Sequence, residues 1–151
     1  MSQSLAKNLI HLIFSTKHRA PLIPKETRER LFAYQAGIFK DWACPALAIG
    51  GVADHVHALF CLAKTQPLKT IVEEVKKGSS KWMKTREGCG NAKFYWQKGY
   101  AAFSVSQSNT AAVVRYIDTQ EEHHRVKTFQ DELRALCKRH EVDLDERYAW
   151  D

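Results

Sequence analysis

The chain has 151 residues, 44% hydrophobic and 26% charged, enough for one folded domain over residues 1–151 with its own core. No apolar run approaches the roughly 20 residues a bilayer span needs, the start lacks a leader pattern, and the four cysteines form no C-x-x-C; a membrane-spanning helix, a disulfide frame and a zinc ribbon are excluded and the cytoplasm is expected. The formal charge of +6 favours a polyanionic partner such as nucleic acid.

Asn8–Thr16 (NLIHLIFST) is apolar and β-branched, as a buried strand requires, and runs into the basic TKHRAP. Pro24 opens a helix through KETRERLFAYQAGIFKDW, with Leu31, Tyr34, Gln35, Ile38 and Trp42 at helical spacing. Glu26 and Glu29 suit its first turns, where the helix dipole favours acids. ALAIGG predicts a short strand, VAD a turn and HVHALFCLA a second strand, together a hairpin. After Pro67, Leu68, Ile71, Val72, Val75 and Trp82 trace the stripe of a second helix, and Lys69, Lys76, Lys77 and Lys81 decorate the remainder. REGCGNAK breaks it, and FYWQKGYAAFSVS supplies a last strand with a kink at Gly99. SQSN offers N-caps for a third helix through TAAVVRYIDTQEEHH; KTFQDELRALCKRHEV makes a fourth, and DLDERYAWD is a tail. The order predicts an α+β, ferredoxin-like (RRM-like) antiparallel sheet with helices on one face, plus two C-terminal helices.

The stretch GGVADHVHALF, Gly50 to Phe60, sets two histidines two apart in a strand. His55 and His57 therefore share a sheet face, and Val56, Ala58 and Phe60 the other. The expectation is that the apolar set faces the helices. The histidines would then line an exposed face as a two-imidazole metal platform. The alternative is a strand carrying two hydrogen-bonded histidines and no metal. Tyr116 and Gln120, at i,i+4 on the third predicted helix, share a face that His123 and His124 prolong. If that helix lies on the open side, Gln120 completes the metal site and Tyr116 presents a hydroxyl beside it.

His-Val-His followed by VVRYIDTQEEHH resembles the single-tyrosine HUH transposases of bacterial insertion sequences. The likeness runs along nearly the whole chain, through HLIFSTKHR, GGVADHVHALF, KGSSKWM, FYWQKGYAAFSVS and FQDELRALCKRHEVDLDERYAWD. The HUH triplet alone is a weak signal, whereas the ordered set is specific. The resemblance implies Tyr116 as nucleophile, His55 and His57 as metal ligands and Gln120 as the third. It implies Mg²⁺ or Mn²⁺ as cofactor, although imidazoles by themselves favour softer ions. The implied partners are single-stranded DNA hairpins at element ends, cut and rejoined through a 5′-phosphotyrosine, and a second copy of the chain. In that homodimer the sheets merge, the tyrosine acts in cis or in trans, and FYWQKGYAAFSVS, guarded only by Lys98, is the expected pairing edge.

Phosphates are expected on Lys17 and Arg19 after the first strand and on Lys76, Lys77 and Lys81 of the second helix, with Trp82 or Tyr100 available for base stacking. No G-x-x-x-x-G-K sequence is present, in keeping with a transesterification that stores bond energy in its covalent intermediate. A non-catalytic RRM-like binding module would need aromatics where the central strand has histidines. A domesticated, inactive transposase would leave no mark in the sequence.

Overall fold

Four strands form one antiparallel sheet in the order β2-β3-β1-β4, in a computed structural model that describes residues 2–150. They are β1 (Asn8–Ser15), β2 (Ala46–Gly51), β3 (His55–Leu62) and β4 (Ala101–Val105). The crossover helices are α1 (Arg28–Asp41) and α2 (Leu68–Met83), which gives the ferredoxin-like connection expected. Then follow α3 (Thr110–Asp118), α4 (Gln120–His123) and α5 (Phe129–Arg139). Among the described residues no helix is long and apolar enough to cross a membrane.

Period-two alternation sorts the two faces of the sheet. Leu12, Phe14, Val56, Ala58 and Phe60 enter the main core with Leu31 and Phe39 of α1 and Ile71, Val72, Val75 and Met83 of α2. The two helices meet closely at Gly78, where a Cβ would lie 2.7 Å from Ile38 Cδ1.

The opposite face is not open. Ile117 of α3 packs on Leu9 and Leu59, while Phe129, Leu133, Leu136 and Cys137 of α5 pack on Ile13 and Phe103. His55 and His57 are consequently fully buried, which corrects the expectation of an exposed platform. The physical reason is that α3 and α5 both carry apolar stripes, and this sheet face is the surface that buries them.

The Gly-Gly pair before the histidines makes the covering possible. A Cβ on Gly50 would lie 2.4 Å from the Ile117 carbonyl oxygen, and one on Gly51 would lie 2.3 Å from that of His55. Gly50 thus lets α3 rest directly on β2, and Gly51 lets the hairpin close tightly. Gly50→Ala is expected to push α3 off the sheet and lower stability by about 1–3 kcal/mol, measured by urea unfolding.

The long last strand is also corrected. Only Ala101–Val105 is strand; Trp96 makes a single bridge to Thr16, and the intervening residues are irregular. The Trp96 ring turns into the core, edge-on to Phe14 and Phe94, and its Nε1 donates to Ser79 Oγ at 3.0 Å. Lys76 Nζ donates to the carbonyls of Gln97, Lys98 and Gly99, groups that a strand would offer to a neighbour. The third predicted helix is broken at Thr119 (φ −109°, ψ 26°), whose hydroxyl donates to the Arg115 carbonyl at 2.8 Å. Such back-bonding competes with the helical pattern.

Candidate active site

Each histidine at the buried centre has one ring nitrogen committed. His55 Nδ1 lies 2.7 Å from Asp54 Oδ1, and a carboxylate only accepts, so this nitrogen carries the proton. His124 Nδ1 likewise donates to the Lys127 carbonyl at 2.8 Å. His57 Nδ1 lies 2.8 Å from His11 Nε2. Phe129 stacks on His55 with ring centroids 4.5 Å apart. The three Nε2 atoms are thereby turned toward one another.

They meet two oxygen-bearing side chains. Glu132 Oε1 lies 2.9 Å from His57 Nε2 and 3.5 Å from His55 Nε2, and its Oε2 lies 3.2 Å from His124 Nε2. Gln120 Oε1 stands 3.0 Å from His124 Nε2 and 3.4 Å from His55 Nε2, its orientation set by Nε2 donating to the Tyr116 carbonyl. The Tyr116 hydroxyl donates to Glu132 Oε2.

This donor set fits a divalent cation. With both Nδ1 atoms turned to outside partners, the Nε2 atoms of His55 and His124 stand 3.0 Å apart beside a carboxylate and an amide oxygen. Ligand atoms of His55, His57, His124 and Glu132 all lie within 4.8 Å of one another. Donors bound at about 2.1 Å around one cation stand roughly 3.0–3.4 Å apart, close to the spacings seen here.

Burial works against the Glu132 charge, yet hydrogen bonds from His124, His55 and His57 hold its carboxyl far below the usual range. Burial also opposes a charged His55, but Asp54 and Glu132 outweigh it and raise its pKa. Desolvation prevails at His57, pulled down to about 4, and at His11, pulled down to about 3. Burial, then the hydrogen bond to Glu132, pushes the Tyr116 phenol well above its ordinary value, so the resting hydroxyl keeps its proton.

Tyr116, His55, His57 and Gln120 are thus brought together within one chain. His123 packs on the Tyr116 ring, centroids 4.7 Å apart, and stays outside the donor cluster, whereas His124 enters it. Sequence reasoning missed Glu132 and His11. Both carried a signal: Glu132 interrupts the apolar stripe Phe129, Leu133, Leu136, Cys137, and His11 lies between Leu9 and Ile13 on the inward positions of β1.

Two of the basic residues expected on phosphates are engaged internally. Lys76 is spent on three carbonyls, with burial depressing it to about 8, and Arg19 Nη1 donates to the Trp150 carbonyl at 2.9 Å. Lys17 and Lys81 are exposed, and Lys77 pairs with Glu74 at 3.0 Å on the surface. Trp82 stacks on Tyr34.

Solved structures that share the fold include two transposases. One is a candidate transposase from Deinococcus radiodurans R1, 22% identical, with a TM-score of 0.61 over 80% of this chain and 98% of that one. The other is a REP-associated tyrosine transposase bound to a REP hairpin, 16% identical, with a TM-score of 0.60 over 82% of this chain and 74% of that one. No curated protein matches the sequence. The family model described as "Transposase IS200 like" matches residues 4–120, from ahead of β1 to Gln120, and the chain therefore belongs to the IS200-like transposases.

Proposed function

We propose that the protein cleaves and rejoins single-stranded DNA through Tyr116, recognising hairpins at the ends of an insertion element. The observation that carries this reading is a tyrosine hydroxyl hydrogen-bonded into a buried set of cation donors, in a chain of the IS200-like family. A structural relative bound to a hairpin supports the substrate class.

Tyr116 Oη attacks a backbone phosphorus, the bond to the 3′-oxygen breaks, and a 5′-phosphotyrosine and a free 3′-hydroxyl result. The hydrogen bond to Glu132 holds the Tyr116 hydroxyl in place, the phenol proton is lost to solvent as the new bond forms, and the departing 3′-oxygen is protonated by water. Attack of a 3′-hydroxyl on the phosphotyrosine reverses these steps and reseals the strand. His55, His57 and Gln120 would hold the cation, with His124 and Glu132 as further donors from beyond the segment the family model covers. A divalent cation held there, Mg²⁺ or Mn²⁺, would offset the Glu132 charge and supply Lewis-acid polarisation of the scissile phosphate. Three imidazoles favour Mn²⁺ of the two, because Mg²⁺ prefers oxygen.

The protein is proposed to work in the cytoplasm, as one domain per chain and as a homodimer pairing along the free edge of β4. Tyr116 lies beside its own chain's His57, ring centroids 5.7 Å apart, and this supports action in cis over the exchange between subunits that the resemblance also allows. Mixing Tyr116→Phe and His57→Ala subunits should therefore restore no cleavage; recovery would place the tyrosine in trans. Phosphate binding falls to Lys17, Lys77 and Lys81. Each lysine removed from a phosphate should flatten the slope of log affinity against log salt by about 0.7, so the Lys77→Ala/Lys81→Ala double variant tests the second helix as a binding surface.

The deciding experiment incubates the protein with labelled hairpin-bearing single strands and Mn²⁺ or Mg²⁺. A covalent protein–DNA band on a denaturing gel is expected. Its absence with both ions would overturn the reading.

A further inference from the structure

His11 lies on the floor of the cluster and takes no part in the chemistry above. On β1 it pairs with Leu59, while Ile13, next along the same face, pairs with His57. The two imidazoles are therefore diagonal neighbours across the β1–β3 ladder. Their ring centroids stand 5.0 Å apart, and His11 Nε2 meets His57 Nδ1 at 2.8 Å. Both rings are buried, and burial above all keeps them neutral, pulling His11 down to about 3 and His57 to about 4. A neutral imidazole has one N–H and one lone pair, so the direction of this bond is tied to what His57 Nε2 does.

Without a cation, Glu132 fixes that direction. Its Oε1 stands 2.9 Å from His57 Nε2, and an ionised carboxylate only accepts, so Nε2 carries the proton. Nδ1 then holds the lone pair, and His11 Nε2 donates to it. A cation requires the opposite. An imidazole binds metal through a lone pair, so Nε2 must be bare and the proton must sit on Nδ1. His55 faces no such conflict, because Asp54 accepts from its Nδ1 at 2.7 Å in either state. His57 needs a partner that donates in one state and accepts in the other. A carboxylate at position 11 would only accept and a lysine would only donate, whereas an imidazole does both.

We infer that His11 is a positioning residue for the cation site: its bond to His57 reverses direction when a cation arrives, and so holds the His57 ring in place with Nε2 bare. The inference rests on the cation site of the proposed function. The proton balance closes with both rings neutral. One proton passes from His11 Nε2 to His57 Nδ1, the His57 Nε2 proton leaves to solvent, and His11 Nδ1 takes one from solvent. Without His11, a buried Nδ1 would be left unpaired in both states, and the ring would be free to turn away from the cation.

The test uses the full-length protein and reads tautomers and cation affinity, neither of which depends on cleavage. In ¹⁵N spectra of the histidine rings, His57 should carry its proton on Nε2 in EDTA and on Nδ1 with Zn²⁺, a diamagnetic ion that imidazole binds well. The His11 proton should move from Nε2 to Nδ1 in step. His11→Phe keeps a ring and removes both nitrogens, and should weaken Mn²⁺ binding by roughly 10–100-fold. His11→Gln sets an amide where Nε2 stood, able to donate or accept by turning over, and should stay within about threefold of wild type. A cooperative thermal melt in EDTA verifies folding of each variant. If His11→Phe does not fold, the wild-type spectra decide.

The same His57 tautomer with and without Zn²⁺ would overturn the inference. So would Mn²⁺ affinity unchanged in His11→Phe, or lost equally in His11→Phe and His11→Gln. Adduct formation through Tyr116 without the tautomer reversal would remove the role of His11 and leave the cleavage reading standing. Reversal without an adduct would do the opposite.

Discussion

Replacing Tyr116 with phenylalanine should abolish covalent adduct formation while hairpin affinity stays within about twofold of wild type. Only the hydroxyl is removed, and the ring keeps its packing against His11, His57 and His123. Removing an enzyme's nucleophile costs on the order of 10⁴-fold or more in rate, so the denaturing gel should show no band above background. Stability should change little, by about 1 kcal/mol, because Glu132 retains its histidine partners. An adduct that persists in this variant would reassign the nucleophile, and Tyr100, exposed beside β4, is the next candidate to map by peptide sequencing.

Removing the cation, or His57, should stop cleavage as completely. Chelation with EDTA acts on the wild type, and His57→Ala removes the donor nearest Glu132 Oε1 together with the hydrogen-bond partner of His11. The alanine variant should also lose about 3 kcal/mol of stability, from the cavity left by a fully buried ring and the lost hydrogen bond to Glu132. A readout independent of activity is the melting temperature. Mn²⁺ at a hundredfold excess over its dissociation constant should stabilise the wild type by about 2.7 kcal/mol. It should stabilise Glu132→Gln and His124→Ala less, since each removes one donor. Full cleavage in EDTA, or melting temperatures indifferent to both Mn²⁺ and Mg²⁺, would exclude a resident cation.

The difference between Gln120 and Glu132 shows how far reasoning along the chain reaches. Gln120 could be paired with Tyr116 from spacing alone, because residues four apart share a helix face whatever surrounds the helix. Its side-chain amide indeed donates to the Tyr116 carbonyl, and this survives the break at Thr119. Glu132 sits 75 positions from His57, and nothing local says that α5 folds back over β3. The only trace in the chain is a carboxylate on an otherwise apolar stripe, and that becomes meaningful once the stripe has somewhere to pack.

What the sequence by itself determined is therefore what contiguous residues dictate. Alternation placed β1 and the β2–β3 hairpin, helical periodicity placed α1 and α2, and the order of elements yielded the ferredoxin-like sheet. A shared face for His55 and His57 followed from the same period of two. The tertiary structure alone decided that this face is buried, because it depends on α3 descending onto Gly50 and on α5 filling the space beside it. It also decided that Lys76 and Arg19 serve the chain's own carbonyls, and that Tyr95 and Tyr100 stand on an irregular pinned segment instead of a strand. A lysine's sequence neighbours specify its charge, but only the packing of distant segments specifies which oxygen that charge meets.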